Sequence, residues 1–183
     1  MGRKTGILEY DISLKISKMM GELIEKAGPF EVSYTRDDDF FVSLRELKKF
    51  AQRQNADLMI SFHADSLRQL FVRGATIYTL AKKATDALSQ EIADSENLAD
   101  VVAGLAAPDA QDDVTDILAD LTLRETSRFS LHFSSLLVER MASEVAMIKN
   151  PQRAASFAVL KNAEVPSALV ELGYLSNEED EKL

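Results

Sequence analysis

The sequence contains no cysteine and two histidines, His63 and His132, among its 183 residues. Without cysteine the chain can form no disulfide bond and offers no thiolate, so a transition metal would have to be bound by histidine, aspartate or glutamate. Positive charge is also scarce, because 21 Lys and Arg stand against 30 Asp and Glu and give a formal net charge of −9. Binding nucleic-acid phosphates or anionic headgroups requires clustered basic residues, so nucleic acid is not expected as a partner.

Long apolar runs are absent as well. No stretch approaches the length of a membrane span, and residues 1–6 are polar rather than charged and then apolar as in a signal peptide. The chain is nevertheless 46% hydrophobic, which is enough to build one compact domain with a core. A single domain without a membrane span is therefore predicted.

The first half of the chain alternates helical and strand patterns. Apolar residues recur at helical spacing over 11–27, and Ser43 with Glu46 has the spacing of a capping box that starts a second helix. Short apolar runs predict strands at 31–35, 58–62 and 76–80. Alternating strands and helices predict an α/β domain with a mainly parallel sheet flanked by helices.

The second half has a different pattern. Helix-favouring residues at 84–97 and an Ala, Gly, Pro and Asp stretch at 101–113, expected to be a flexible loop, together indicate an inserted helical region over about 84–120. A long helix or helix pair is predicted over 114–147, closed by Asn150 and Pro151, with strands at 156–160 and 168–171 after it. Ser176 and Glu179 repeat the capping-box spacing, so a helix is expected to begin where the chain stops.

Two ionisable residues stand at the ends of predicted strands. His63 follows the strand at 58–62, and Glu171 ends the strand at 168–171. Ligands of open parallel sheets bind beyond the carboxyl ends of the strands, so both side chains are expected at one cleft. From spacing alone, a hydrogen-bonded structural histidine and a helix-capping or salt-bridged glutamate are the favoured interpretations, and a shared functional site stays open. For His132, in the long helix, a surface or packing role is predicted.

Four segments of the chain resemble a known family, in that family's order. They are residues 32–37 (VSYTRD), 56–65 (ADLMISFHAD), 73–78 (RGATIY) and 165–177 (VPSALVELGYLSN). Together they resemble the zinc-dependent N-acetylmuramoyl-L-alanine amidases of the AmiC/LytC type, which hydrolyse bacterial cell walls. The resemblance spans nearly the whole chain, and its last segment is the most specific.

The resemblance implies a metal site. In that family zinc is held by His, Glu and His, and a further glutamate assists catalysis. Glu9 matches the ligand glutamate, His63 the second histidine and Glu171 the catalytic glutamate. The family's first histidine lies in a Gly-His-Gly-Gly loop that would precede Gly2, so the chain is expected to be truncated at its start, or to have been assigned a late start, and to lack a C-terminal helix.

The inserted region carries a further implication. In the cell-division subgroup of these amidases, an inserted helix places a glutamate on the zinc and blocks the site. Glu96 lies at the matching place, although a solvated helix glutamate is the alternative interpretation. The resemblance therefore implies an autoinhibited periplasmic enzyme and an activator protein that displaces the inserted helix.

The expected function is zinc-dependent hydrolysis of the amide between N-acetylmuramic acid and L-alanine of the peptidoglycan stem peptide. Two alternatives stay open at this point. One is a non-catalytic peptidoglycan-binding or regulatory module with the same fold, and the other is a related metallohydrolase that acts on a different amide.

Overall fold

The computed structural model describes residues 6–105 and 117–182, apart from the side chains of residues 117–121. The helices are α1 Glu9–Ala27, α2 Leu44–Arg53, α3 Ala87–Asn97, α4 Ala99–Val102 and α5 Ile117–Met141. The strands are β1 Met59–His63, β2 Ala75–Leu80, β3 Met147–Ala155 and β4 Ser167–Glu171. Short 3-10 helices lie at Ala158–Leu160 and Asp180–Lys182.

The described strands form one four-stranded mixed sheet with the order β1-β4-β2-β3. β1 pairs with β4 and β2 with β3 in parallel, whereas β2 and β4 are antiparallel. The predicted α/β class with a mainly parallel sheet is therefore confirmed, with one antiparallel pairing in its centre. β4 is buried along its whole length, as expected of a central strand.

Two hydrophobic clusters cover the two faces of the sheet. On one face, Ile77, Ala168 and Val170 pack against apolar residues of α5. On the other, Tyr78 and Leu169 pack beneath residues of α2, α3 and the segment after β3, namely Leu44, Ala51, Ile92, Ala93, Phe157 and Leu160. Removing this apolar surface from water is the main stabilising contribution, at about 25 cal/mol per Å². Both layers are needed because β4 exposes neither of its faces.

The helix starts follow the predicted chemistry. The Ser43 hydroxyl accepts a hydrogen bond from the Glu46 amide at 3.2 Å, which confirms the predicted start of α2. α3 begins after Asp86, whose carboxylate accepts from the Ser89 amide at 2.8 Å, three residues beyond the predicted start. α1 extends the predicted helix by two residues at its start, and this places Glu9 in its first turn.

The prediction of a strand at 31–35 is wrong. The segment has no regular secondary structure and pairs with no described strand. It lies against α1 instead, where the Tyr34 side chain covers the surface above Gly21 and its hydroxyl approaches the Lys18 carbonyl at 3.5 Å. A pattern of alternating residues is satisfied here by side-chain packing on a helix rather than by a hydrogen-bonded ladder.

The prediction that Asn150 and Pro151 close the long helix is also wrong. α5 ends at Met141, and both residues lie inside β3, where Asn150 adopts φ of +56°. β3 is an edge strand with a register irregularity opposite Ala75–Ile77, so proline removes no necessary ladder bond. The strand predicted at 156–160 is therefore displaced to Met147–Ala155, and Ala158–Leu160 forms a 3-10 helix.

The C-terminal turn is capped by a different residue from the one predicted. The Ser176 hydroxyl accepts from the Leu67 amide at 3.0 Å, whereas the Asn177 side chain accepts from the Glu179 amide at 3.0 Å. Asn177 is thus the local cap, and the residues after it form a 3-10 helix.

The segment predicted to be an insertion is described in part. α3 and α4 occupy Ala87–Asn97 and Ala99–Val102, so the predicted loop begins later than expected, and its residues 106–113 lie outside the described part of the chain. The predicted helix start at 114 lies outside it too. Among the helices of residues 6–105 and 117–182, none combines the length and apolar character needed to cross a membrane.

Candidate functional site

The site lies where β1 and β4 end. These two strands run parallel, and the register pairs His63 with Glu171, the last residue of each. Paired residues of neighbouring strands project from the same face of a sheet. The topology therefore brings the two side chains predicted at strand ends to one edge, on the face that α2 and α3 cover.

Glu9 reaches this edge from the first turn of α1, which packs against β1. Its Oε1 lies 3.2 Å from His63 Nδ1 and accepts a hydrogen bond from the Ala64 amide at 3.3 Å. The carboxylate is thus held by the backbone just beyond the strand. Glu9 and His63, which were selected from the resemblance, are neighbours in space.

Asp65 is a member of the site that sequence analysis did not select. Ligand atoms of Glu9, His63 and Asp65 all lie within 4.8 Å of one another. Asp65 is 7% exposed, and its amide donates to Glu171 Oε1 at 2.8 Å. The signal for it was available, since a carboxylate two residues after His63 in a strand-end loop can turn back to the same point.

One ring nitrogen of His63 has a hydrogen-bond partner, and the other has none among the described residues. Its Nε2 lies 2.9 Å from the Ser61 hydroxyl. Its Nδ1 is buried and has no partner with hydrogen-bond geometry among the described residues, although carboxylate oxygens lie within 3.2 Å. When the ring is neutral and Ser61 accepts the Nε2 proton, Nδ1 presents a lone pair to the point where the carboxylate oxygens converge, as a metal ligand does. When the ring is protonated, the Nδ1 proton faces Glu9 and Glu96 instead.

Glu96 enters the site from α3, the helix in the segment predicted to be an insertion. Its Oε2 lies 3.1 Å from His63 Nδ1, and its side chain is 22% exposed. The structure therefore brings Glu96 to the same nitrogen as Glu9. Its neighbours Glu91 and Asp94 are exposed and bond instead to glutamine side chains, of Gln69 and Gln90.

Glu171 is fully buried below these groups. Its Oε1 accepts from the Asp65 amide, and its Oε2 has no hydrogen-bond partner among the described residues. Burial raises the pKa of Glu171 well above the usual range, and the nearby charge of Asp65 adds to this effect. Glu171 thus holds one oxygen fixed and one oxygen unsatisfied.

Burial and mutual charge perturb the whole cluster. Burial, followed by the charges of Glu96 and Glu9, raises the pKa of Asp65 to about 8. Burial alone would lower the pKa of His63, but the adjacent Glu9 and Glu96 outweigh it and raise that pKa well above its ordinary value. Burial also opposes ionisation of Glu9, yet contact with His63 leaves its pKa lowered. A cation among these carboxyl groups would favour their ionised forms, so the cluster is suited to bind one.

A cavity of about 150 Å³ adjoins His63 and Glu96. Ser61 and Asn97 also line it at the polar end, and its apolar wall comes from the start of α2 and from residues after α3 and β3, namely Val42, Leu44, Leu47, Ala99 and Val159. The cavity therefore lies between the start of α2 and the α3–α4 junction, beside the site.

His132 takes no part in this cluster. It is an exposed residue of α5, the helix that covers the opposite face of the sheet. This position agrees with the surface role predicted for it.

The donor set fits zinc. Imidazole nitrogen and carboxylate oxygen are ordinary zinc ligands, and the unsatisfied Nδ1 lies among oxygens that repel one another without a cation. Glu9 and His63 supply one donor each, and Asp65 offers a third. The roles of Glu9, His63, Glu96 and Glu171 remain predictions on this geometry.

Comparison with known proteins places the chain in a family. A family model described as N-acetylmuramoyl-L-alanine amidase matches residues 1–183. N-acetylmuramoyl-L-alanine amidase AmiC of Escherichia coli is 34% identical over 178 residues, which are 95% of this chain and 42% of that protein. The chain thus spans less than half the length of that relative.

Solved structures share the fold. N-acetylmuramoyl-L-alanine amidase AmiC2 of Nostoc punctiforme superposes with a TM-score of 0.60 at 24% identity, over 100% of this chain and 76% of that one. The CwlD amidase of Clostridioides difficile, solved in complex with the GerS lipoprotein, gives 0.59 at 21% identity, over 100% and 78%. Taken with the match along its whole length, these findings show that the chain belongs to the N-acetylmuramoyl-L-alanine amidase family.

Proposed function

We propose that the protein is a zinc-dependent peptidoglycan hydrolase that cleaves the amide between N-acetylmuramic acid and L-alanine of the stem peptide. The observation that carries this proposal is the convergence of Glu9, His63 and Asp65 within 4.8 Å, beside the buried carboxyl of Glu171. Family membership supplies the substrate class, and the acidic, cation-attracting cluster supplies the chemistry.

Glu9 and His63 are the proposed zinc ligands, and Asp65 is a third donor within reach. A bound zinc ion would polarise the scissile carbonyl and acidify the attacking water. Ser61 fixes the ring of His63 through Nε2, so that Nδ1 faces the carboxylates. The Ala64 amide holds Glu9 in place, which limits the reorganisation needed when a cation enters.

Glu171 is the proposed proton carrier. Its Oε1 is held by the Asp65 amide, so Oε2 is the oxygen available to take a proton from the attacking water. Glu171 must be ionised for this step, and a cation bound beside it would favour the ionised form. Water adds to the carbonyl carbon, the carbon–nitrogen bond breaks, and Glu171 passes the proton to the departing L-alanine amine. The carboxyl is buried in the arrangement described here, so a rearrangement must precede this chemistry.

The same geometry supports autoinhibition. We assign residues of about 84–120 to an inserted regulatory region within a single catalytic domain. The carboxylate of Glu96 lies 3.1 Å from His63 Nδ1. At that position it would compete with substrate for the bound metal ion. The active population would then be limited by the equilibrium that lifts α3 away.

An activator protein is the proposed partner that shifts this equilibrium. The segment after α3 exposes apolar side chains that a partner could cover, namely Leu98, Val101, Val102 and Leu105. The CwlD amidase is solved with a lipoprotein, which supports a protein partner in this family. Because the proposed substrate is cell-wall material, we propose a periplasmic location, and the resemblance to the cell-division subgroup of these amidases implies a role in cell division.

Hydrolysis of purified peptidoglycan tests this proposal. The expected products are stem peptides with a new L-alanine amino terminus, identified by mass spectrometry, and chelation should stop their release until zinc is restored. Glu171→Gln, which keeps the size of the side chain, should release none. Binding without release would favour a non-catalytic module, whereas cleavage of unrelated amides alone would favour another metallohydrolase.

A further inference from the structure

We propose that Asn97 and Asp100 are positioning residues that hold α3 and α4 closed over the site. Their hydrogen bonds to the rest of the domain are called the closure contacts below. The proposal rests on the proposed function, because it concerns how Glu96 is kept on His63. It adds that the strength of the restraint is set largely by groups that never touch the metal site.

Asn97 fixes the C-terminal end of α3. Its amide nitrogen donates to the Ser156 carbonyl at 2.8 Å, and its amide oxygen accepts from the Ala158 amide at 2.6 Å. Both ends of one side chain are therefore bonded to the backbone of the segment that follows β3. Glu96 is the adjacent residue, so this pair of bonds sets the height and rotation of the turn that carries it.

Asp100 fixes α4 to α2. Its carboxylate is 4% exposed and accepts from the Leu44 amide at 2.9 Å. Leu44 is the first residue of α2, where the backbone amide has no acceptor within its own helix and the helix end carries partial positive charge. The Ser43 hydroxyl serves the Glu46 amide instead. Asp100 thus supplies the acceptor that the Leu44 amide lacks within α2. This hydrogen bond also offsets the cost of burying the Asp100 carboxylate.

The N-terminal half of α3 is anchored independently. Ile92 and Ala93 are buried in the core, and Asp86 contacts Arg153 at 2.9 Å. Residues 101–105, the last described before the gap, are exposed, and Val102 has 85% of its surface accessible. The closure contacts therefore lie between a fixed helix start and an exposed end. Breaking them would free Glu96 without unpacking Ile92, so the opening can be local.

Hydrogen–deuterium exchange tests the proposal without relying on amidase activity. In Asp100→Ala and Asn97→Ala, we expect amides of residues 94–102 to exchange at least about tenfold faster than in the parent. Amides of β4 should exchange at the parent rate. Asp94→Ala is the matched control, because Asp94 is exposed and bonds within α3 to Gln90. Unchanged exchange over 94–102 would overturn the proposal.

Activity gives the second measurement and distinguishes a positioning role from general destabilisation. Hydrolysis without activator should rise about tenfold in Asp100→Ala, but should not rise further when Asp100→Ala is added to Glu96→Ala. A loss of activity in both backgrounds would mark Asp100 as a structural residue and refute the proposal.

Two further outcomes also decide the proposal. Faster exchange with no hydrolysis by any variant, Glu96→Ala included, would support the closure contacts and refute the proposed function. If Asp100→Ala fails to fold, Asp100→Asn carries the test, because it keeps an oxygen acceptor for Leu44 while losing the charge. It should then show smaller increases in both measurements, and parent values in both would overturn the proposal.

Discussion

If Glu96 blocks the site as proposed, replacing it with alanine should allow hydrolysis without an activator. The carboxylate lies 3.1 Å from His63 Nδ1 and is 22% exposed, so it is removed from a largely desolvated contact. Ion pairs contribute about 0.2–1 kcal/mol when they are exposed, and this largely desolvated contact is expected to contribute more. Glu96 also repels Asp65, whose pKa is raised first by burial and then by the charge of Glu96, so the net contribution is smaller than that of the contact alone. A net closure energy of about 1.4 kcal/mol corresponds to about a tenfold larger open fraction.

The substitution leaves the helix itself able to form, since alanine is the best helix former. The assay is dye release from labelled peptidoglycan without activator, and Glu96→Ala should exceed the parent by about tenfold or more. Asp94→Ala removes one negative charge from the exposed side of α3 and should match the parent. Adding Glu171→Gln to Glu96→Ala should abolish release, because an open cleft does not replace the proton carrier.

The outcome that contradicts this reasoning is specific. If Glu96→Ala releases no more dye than the parent while Asp94→Ala behaves identically, Glu96 is an ordinary helix acid. Equal activation by both variants would instead show that net charge on α3, and not the contact with His63, controls the site.

Three further predictions concern the metal site and the backbone. Ser61→Ala should weaken zinc binding about tenfold or more in a chelator competition, because it frees the ring of His63, whereas Ser143→Ala should not. Zinc at 100 times its dissociation constant should raise the free energy of unfolding by about 2.7 kcal/mol, and His63→Ala should lose that gain in thermal melts. Gly74→Ala should cost about 3 kcal/mol in urea unfolding, because φ is +90° and the new Cβ would lie 2.7 Å from the β3 backbone. Gly104→Ala, with φ of +80° and no described atom within 4 Å, should cost about 1 kcal/mol.

Much of the fold could be predicted because local signals agreed with the tertiary structure. The capping pair Ser43 and Glu46 marks the start of α2, and short apolar runs mark the three strands that meet at the site. The wrong predictions concern segments whose structure is decided by contacts with residues distant in the sequence. Tyr34 packs on α1, and Pro151 is accommodated by an edge strand. Nothing in the neighbouring residues reveals either partner.

The candidate site could also be predicted only in part. His63 and Glu171 could be expected to meet, because both end parallel strands. Glu9 from α1 and Glu96 from α3 approach the same nitrogen of His63. Residue spacing could not predict this, because it depends on how the two helices pack on the sheet. Only the resemblance to the family indicated these two residues. Asp65 was missed because acidic residues are common in this chain and its burial is set by distant elements.

The cavity beside Glu96 bears on how firmly α3 and α4 can sit. Its volume of about 150 Å³ is lined at one end by polar groups, so it can hold water rather than act as an empty core void. α4 therefore lies over a space that side chains do not fill, and its position depends on the polar contacts of Asn97 and Asp100. Under the proposed autoinhibition, a bulkier residue at Ala99 should stabilise the closed form and lower hydrolysis without activator, even though every charged group stays the same.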